Sequence, residues 1–298
     1  MDQMKATLRS LVAAELAQPV DSRVTAMAAA IAAEFAGSAR SVLFYGSCLR
    51  ESALDGLMLD FYLIVSDYRT AYRRRWLALA NRLIPPNVFP FAHGGLAAKY
   101  AVLSEADFAR SCSLEADNTS VWARFAQPSR LVWTKDEASA EAAVKAIAEA
   151  VPTLFTLTIP TMTEGQDDPL AVFRAGFALT YGAELRAERA QRSDSIVDSD
   201  PGRYRRFGDM VLALGVASPS DRKGALRRWR SRQRKGKALT LVRLVKASAT
   251  FAGGADYLVW KINRHAGTDI ALKPWQRRWP LLAAVTLLPR LLKRGAIR

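Results

Sequence analysis

The stretch FYGSCLRESALDGLMLDFYLIV, residues 44–65, places one carboxylate, Asp60, inside an apolar run otherwise suited to a buried strand. Strand side chains alternate, so Met58 and Asp60 share one face and Leu59 and Phe61 the other. An ionised carboxylate there is costly unless a cation meets it, either an Arg/Lys side chain or a metal. The turn Gly46-Ser47 offers the complementary half of a phosphate site. Gly46 permits close backbone approach, and the Ser47 hydroxyl with nearby N–H groups can hold a phosphoryl oxygen. Lys99, in KYAVLS (99–104), shares a face with Ala101 and Leu103, where an ammonium needs an anion. That anion is a phosphate, or Asp60 itself in an ion pair that exists without ligand and opens on binding. Arg50 extends the turn as a further phosphate contact or a solvated loop arginine. Asp55 before the strand and Asp67 after it are the neighbouring acids, each readable as a second site carboxylate or as an ordinary turn or capping residue. Tyr45 and Tyr100 read as core or base-stacking rings.

Other chemistries lack material. Two cysteines and two histidines leave almost nothing for a zinc site or a disulfide framework, which makes a reducing compartment the expectation. Cys48 follows Ser47 with no histidine nearby to act as base, and no Gly-x-Ser-x-Gly elbow occurs. The N-terminal MDQMKATLRSLVAAELAQPVDSR is helical in pattern and does not read as a secretory signal. Forty-three Lys/Arg against 28 Asp/Glu give a net charge of +15, which suits a polyanionic partner or reflects a genome that prefers arginine.

Two helices are expected before residue 40, with Asp21 or Ser22 as N-cap of the second. Strands are expected at SVLFY (41–45), LMLDFYLIV (57–65), LAAKYAVLS (96–104) and RLVWT (130–134). TAYRRRWLALANRLI (70–84) predicts an amphipathic helix stopped by Pro85-Pro86, and VFPFAHGG a loop or hairpin end. Helices are also expected at 107–114 and 120–127, then at EASAEAAVKAIAEAV and at 168–188, the last with Asp168-Pro169 as cap and first position. Residues 191–203 read as a loop. The fold class is therefore α/β (α+β): a domain with a mixed sheet over residues 1–136, a helical domain over 137–272 and a basic amphipathic tail over 273–298.

An apolar strand, a Gly-Ser turn and a second strand carrying aspartate resemble the DNA polymerase β-type nucleotidyltransferases. In that superfamily the Gly-Ser holds the triphosphate and strand carboxylates hold divalent metal. Two aspartates one residue apart are usual there, and the first of those positions is Met58 here. One branch carries an apolar residue at that place: the mitochondrial translocator assembly and maintenance family of CDP-diacylglycerol synthases, or phosphatidate cytidylyltransferases. YGSCLR (45–50) resembles its Tyr-Gly-Ser opening, LMLDFYLIVSD (57–67) its Met-Ile/Leu-Asp-Phe strand and acidic turn, and KYAVLS its Lys-Tyr-Gly-Val-Ile-Ser segment. TFAGGADYLVWKINR (250–264) is similar to its late Phe-Thr-Ala-Gly-Lys-Lys-Ser stretch. The chain departs from that pattern at Ala101, at Gly254-Ala255 and at Thr70-Ala71-Tyr72, where the family has Gly, Lys-Lys and a Trp-His segment.

The resemblance implies a nucleotidyltransferase that moves CMP from CTP to phosphatidate or a related lipid phosphate. Mg²⁺ would be held by Asp60 with Asp55 or Asp67, and the triphosphate by Gly46, Ser47, Arg50 and Lys99. Alternatives are transfer to RNA, protein or a small hydroxylated acceptor, or a non-catalytic nucleic-acid-binding protein. Residues 222–237 carry nine Lys/Arg and no acid around Trp229. The segment 273–298 sets Trp275 and Trp279 beside arginines ahead of WPLLAAVTLLPRLLKR (279–294), which is too interrupted to span a bilayer. Tryptophan flanked by arginine suits the headgroup region of an anionic membrane, so peripheral attachment on the inner face of the cell membrane, in the cytoplasm, is the expected localisation.

Overall fold

The computed structural model describes residues 2–50, 54–163, 168–183, 192–215, 221–250 and 273–274. Five strands, β1 (Ala39–Tyr45), β2 (Met58–Val65), β3 (Asn87–His93), β4 (Leu96–Ser104) and β5 (Ser129–Thr134), form one sheet in the order β3-β4-β2-β1-β5. It is mixed: β2 and β4 run parallel at the centre, and every other neighbouring pair is antiparallel. Both central strands are buried on two faces, which is why their sequences are nearly continuous apolar runs.

The two faces bury different helices. One is covered by α2 (Ser22–Ala33), whose Val24, Met27, Ala28 and Ile31 pack on Val42, Phe44, Leu59, Phe61 and Leu63. The Asp21 side chain accepts from the Arg23 N–H and caps this helix, as its type and position predict. The other face, carrying Leu43, Tyr62, Ile64, Ala101 and Leu103, lies under α1 (Asp2–Leu16), α5 (Glu105–Cys112) and α6 (Trp122–Phe125). The same apolar cluster continues into α7 (Glu137–Ala148), α8 (Ala150–Thr158), α9 (Pro169–Tyr181), α10 (Arg192–Asp198), α11 (Pro201–Ala213) and Trp229 of α12 (Arg222–Thr250). The helical half of the chain thus shares its core with the sheet.

Several local expectations are corrected. Of the two readings open for VFPFAHGG, the loop falls and the hairpin end holds: its residues 88–93 lie in edge strand β3, where Pro90 is tolerated because an edge strand has a side that needs no donor. Gly94 and Gly95 have φ of 57° and 79° and join paired His93 and Leu96 as the two-residue turn of a β3–β4 hairpin. The helix expected over 70–84 is broken into α3 (Tyr68–Ala71) and α4 (Arg75–Leu83) by extended Tyr72. Residues 191–203 are mostly helical: Asp200 accepts from the Arg203 N–H with Pro201 in the first turn, and buried Ile196 and Val197 anchor α10. The expected Asp168 cap is present, its carboxylate 3.0 Å from the Ala171 nitrogen. The run Glu137–Thr161 is apolar and long enough to cross a membrane, yet α8 at its centre is the packed middle of the core. The tail from residue 275 lies outside the described residues.

Candidate active site

Register assembles the site. Antiparallel pairing of β1 with β2 sets Tyr45 opposite Asp60, and parallel pairing of β2 with β4 sets Lys99 on its other side. Asp60 and Lys99 stand on the face of Tyr62 and Ala101, so parity alone points both side chains the same way. Lys99 Nζ lies 3.0 Å from Asp60 Oδ1, with side chains 27% and 22% exposed. That oxygen is closed off from water, and it faces the ammonium as a charge pair without an aligned hydrogen bond. The contact is therefore Coulombic and open to replacement by a better-placed cation.

The second carboxylate oxygen meets the turn. A Cβ built on Gly46 would lie 3.3 Å from Asp60 Oδ2, and Gly46 has φ +99°, a conformation that other residues reach only with strain. Glycine is thus required twice at one position. From it the chain enters one turn of 3₁₀ helix, Ser47–Arg50, in which the Leu49 N–H donates to the Gly46 carbonyl. Ser47 is exposed at the start of this turn, and Arg50 closes it. Cys48 is buried with its thiol 3.6 Å from the Met58 carbonyl, so it faces inward and not toward a substrate.

Aromatic rings wall the same face. Tyr45 lies 5.2 Å from Tyr62, and both contact Phe125. Tyr62 and Phe125 were not singled out from the sequence, although Tyr62, two residues beyond Asp60, shares its face by simple alternation. Tyr100 sits on the opposite face among Phe35, Phe89 and Phe91, where burial pushes its phenol pKa upward; it is a core residue.

The two other acids expected at the metal are elsewhere. Asp55 is largely exposed and paired at 3.1 Å with Arg23, at the start of the helix on the far face of the sheet. Asp67 lies beyond the far end of β2, about 20 Å from Asp60 at the ordinary rise per strand residue. Its carboxylate accepts from the Arg69 and Thr70 N–H groups and from the Thr70 hydroxyl, caps α3, and is held below the usual carboxylate range by those bonds. Among the described residues no three His, Cys, Asp or Glu side chains are grouped to hold a metal. The structure therefore brings together Gly46, Asp60 and Lys99, with Ser47 exposed at the start of the adjoining turn, and leaves Asp55 and Asp67 apart.

Compared with known proteins, the chain matches no protein-family model and no curated protein sequence.

Proposed function

We propose that the protein is a nucleotidyltransferase that passes CMP from CTP to phosphatidate or a related lipid phosphate, working as a peripheral protein on the cytoplasmic face of the membrane. The observation that carries this reading is the Asp60–Lys99 pair beneath the positive-φ Gly46 turn. An acid and a base held side by side under a turn free of side-chain bulk match the needs of a triphosphate with its counter-cation. The motif resemblance supplies the identities of nucleotide and acceptor.

The residues fit a magnesium ion in the sparse way that ion tolerates. Mg²⁺ is commonly held by one or two carboxylates, with phosphate oxygens and water completing its shell. Asp60, with one oxygen lacking a hydrogen bond, would be that carboxylate. When bound, the ion would neutralise charge on the phosphates. The chain's own groups do the rest. Lys99, released from Asp60, would meet the β- and γ-phosphates; Ser47 and the turn N–H groups would hold their oxygens; the Tyr45–Tyr62 wall would border the nucleoside. An oxygen of the lipid phosphate forms a bond to the α-phosphorus as the bond from that phosphorus to the bridging oxygen breaks, releasing pyrophosphate. This nucleophile is already anionic at neutral pH, so no base has to remove a proton.

Pyrophosphate release from CTP with phosphatidate vesicles and Mg²⁺ tests the reading. Asp60→Asn should lower turnover at least about 100-fold, in keeping with loss of a preorganised charge at a phosphoryl centre. Undiminished turnover in that variant, or turnover that ignores the lipid phosphate, would remove the proposal. A second reading is favoured by α12, where Lys223, Arg227, Arg230, Arg234 and Lys237 recur at helical spacing and are all exposed. Such a row suits a nucleic-acid backbone; tight RNA or DNA binding with a steep salt slope and no CTP turnover would select it.

A further inference from the structure

Helix α4 presents an apolar stripe to solvent. Trp76, Leu79 and Leu83 are 47%, 58% and 69% exposed, and their spacing places all three on one side of the helix. They are three of the five large exposed hydrophobics among the described residues, gathered on a nine-residue helix. The opposite side is firmly seated. Ala78 is buried, the Asn81 amide donates to the Val102 carbonyl at 2.9 Å, and the Asn87 amide donates to the Leu77 carbonyl at 3.0 Å. Arg243 and Lys246 of α12 donate to the Pro85 and Pro86 carbonyls just past the helix end, at 2.7 Å each. The outward stripe is thus not a core face that failed to find its core.

The surroundings are cationic. Arg73, Arg74 and Arg75 are exposed at the helix start, and Arg82 is exposed beside Leu79 and Leu83. From Tyr68 to Ser104 the chain contains no Asp or Glu. Aliphatic side chains and a tryptophan rimmed by arginines fit a surface that is negatively charged outside and hydrocarbon beneath. They fit other occupants poorly. A second copy would bring its own arginine-rimmed stripe against this one, and like charges would repel. The segment 273–298 is equally free of acids. Nucleic acid would pair with the arginines but leave Leu79 and Leu83 without use.

We propose that α4 docks the protein on an anionic bilayer, with Trp76, Leu79 and Leu83 entering the headgroup–acyl boundary and Arg73, Arg74, Arg75 and Arg82 meeting lipid phosphates. The inference adds a folded anchor to the membrane attachment in the proposed function and does not depend on chemistry at Asp60. The full chain is sedimented with vesicles of phosphatidylcholine alone and of phosphatidylcholine mixed with phosphatidylglycerol. Wild type binds the mixed vesicles preferentially, and Trp76→Ser/Leu79→Ser/Leu83→Ser lowers that partition at least about tenfold. Arg73→Gln/Arg74→Gln/Arg75→Gln leaves the apolar stripe intact, weakens binding several-fold and flattens its dependence on salt. Asp60→Asn binds vesicles like wild type, so loss of turnover and loss of docking are read separately. Unchanged partition in both multiple variants overturns the proposal, as does equal binding to the two vesicle types. A dimer that the serine variant converts to monomer without changing vesicle binding would assign the face to a second copy instead.

Discussion

Asp60 is held by two neighbours that constrain it differently. Lys99 balances its charge, and Gly46 leaves room above it. Gly46→Ala should cost about 1–2 kcal/mol in chemical denaturation, because alanine is strained at this φ and its methyl would press on the carboxylate. CTP turnover should fall by more than that loss of folded protein explains; wild-type turnover in a stably folded variant would separate the glycine from the chemistry. These three residues were legible in the sequence because each argument was local. Alternation puts Asp60 on the face of Met58 and Lys99 on the face of Ala101 and Leu103, and a buried charge needs an opposite charge. The ion pair between them was one of the two alternatives open for Lys99, and only the parallel β2–β4 register brings the two together. Asp55 could not be placed that way, since its Arg23 partner comes from a helix 32 residues earlier in the chain.

Asp67 shows what an element does with an acid near a strand end. Three donors converge on it, and their loss in Asp67→Ala should cost about 1 kcal/mol, the usual worth of a helix N-cap. The sign with pH follows from its lowered pKa. Its stabilisation is fully present above the unfolded carboxylate value and is lost as pH falls through the folded one, so wild type and variant should converge in acid. Urea melts at neutral pH and near pH 3 would check this, and a gap that widened in acid would contradict the assignment. Elements with regular apolar spacing were readable from the sequence, among them β1, β2, β4, β5, α2 and α9. Those stabilised by distant neighbours were not. α10 sits in a polar run and exists because Ile196 and Val197 reach the common core, whereas β3, joined to β4 by a two-residue turn, was obscured by the proline it carries at the sheet edge.

At the scale of the whole molecule, one ion pair closes the fold. Arg203 on α11 donates through Nε and Nη2 to the Glu15 carboxylate at 2.6 and 2.9 Å and through Nη1 to the Ala126 carbonyl at 2.8 Å. Its side chain is 3% exposed and that of Glu15 10%. Removing one member strands the other, so Glu15→Gln and Arg203→Met should each destabilise by roughly 3–5 kcal/mol, with Glu15→Leu/Arg203→Met milder than either. Equilibrium unfolding of the three variants decides it; additive losses would mean the charges do not meet. The pair also orders events in time. A ribosome releases Glu15 long before Arg203, so throughout most of translation that carboxylate has no counter-charge and α1 has no finished seat. The sheet can gather early, but the layer above it closes only once the polypeptide has emerged well past α11, which makes late synthesis the interval in which this protein most needs shelter from its neighbours.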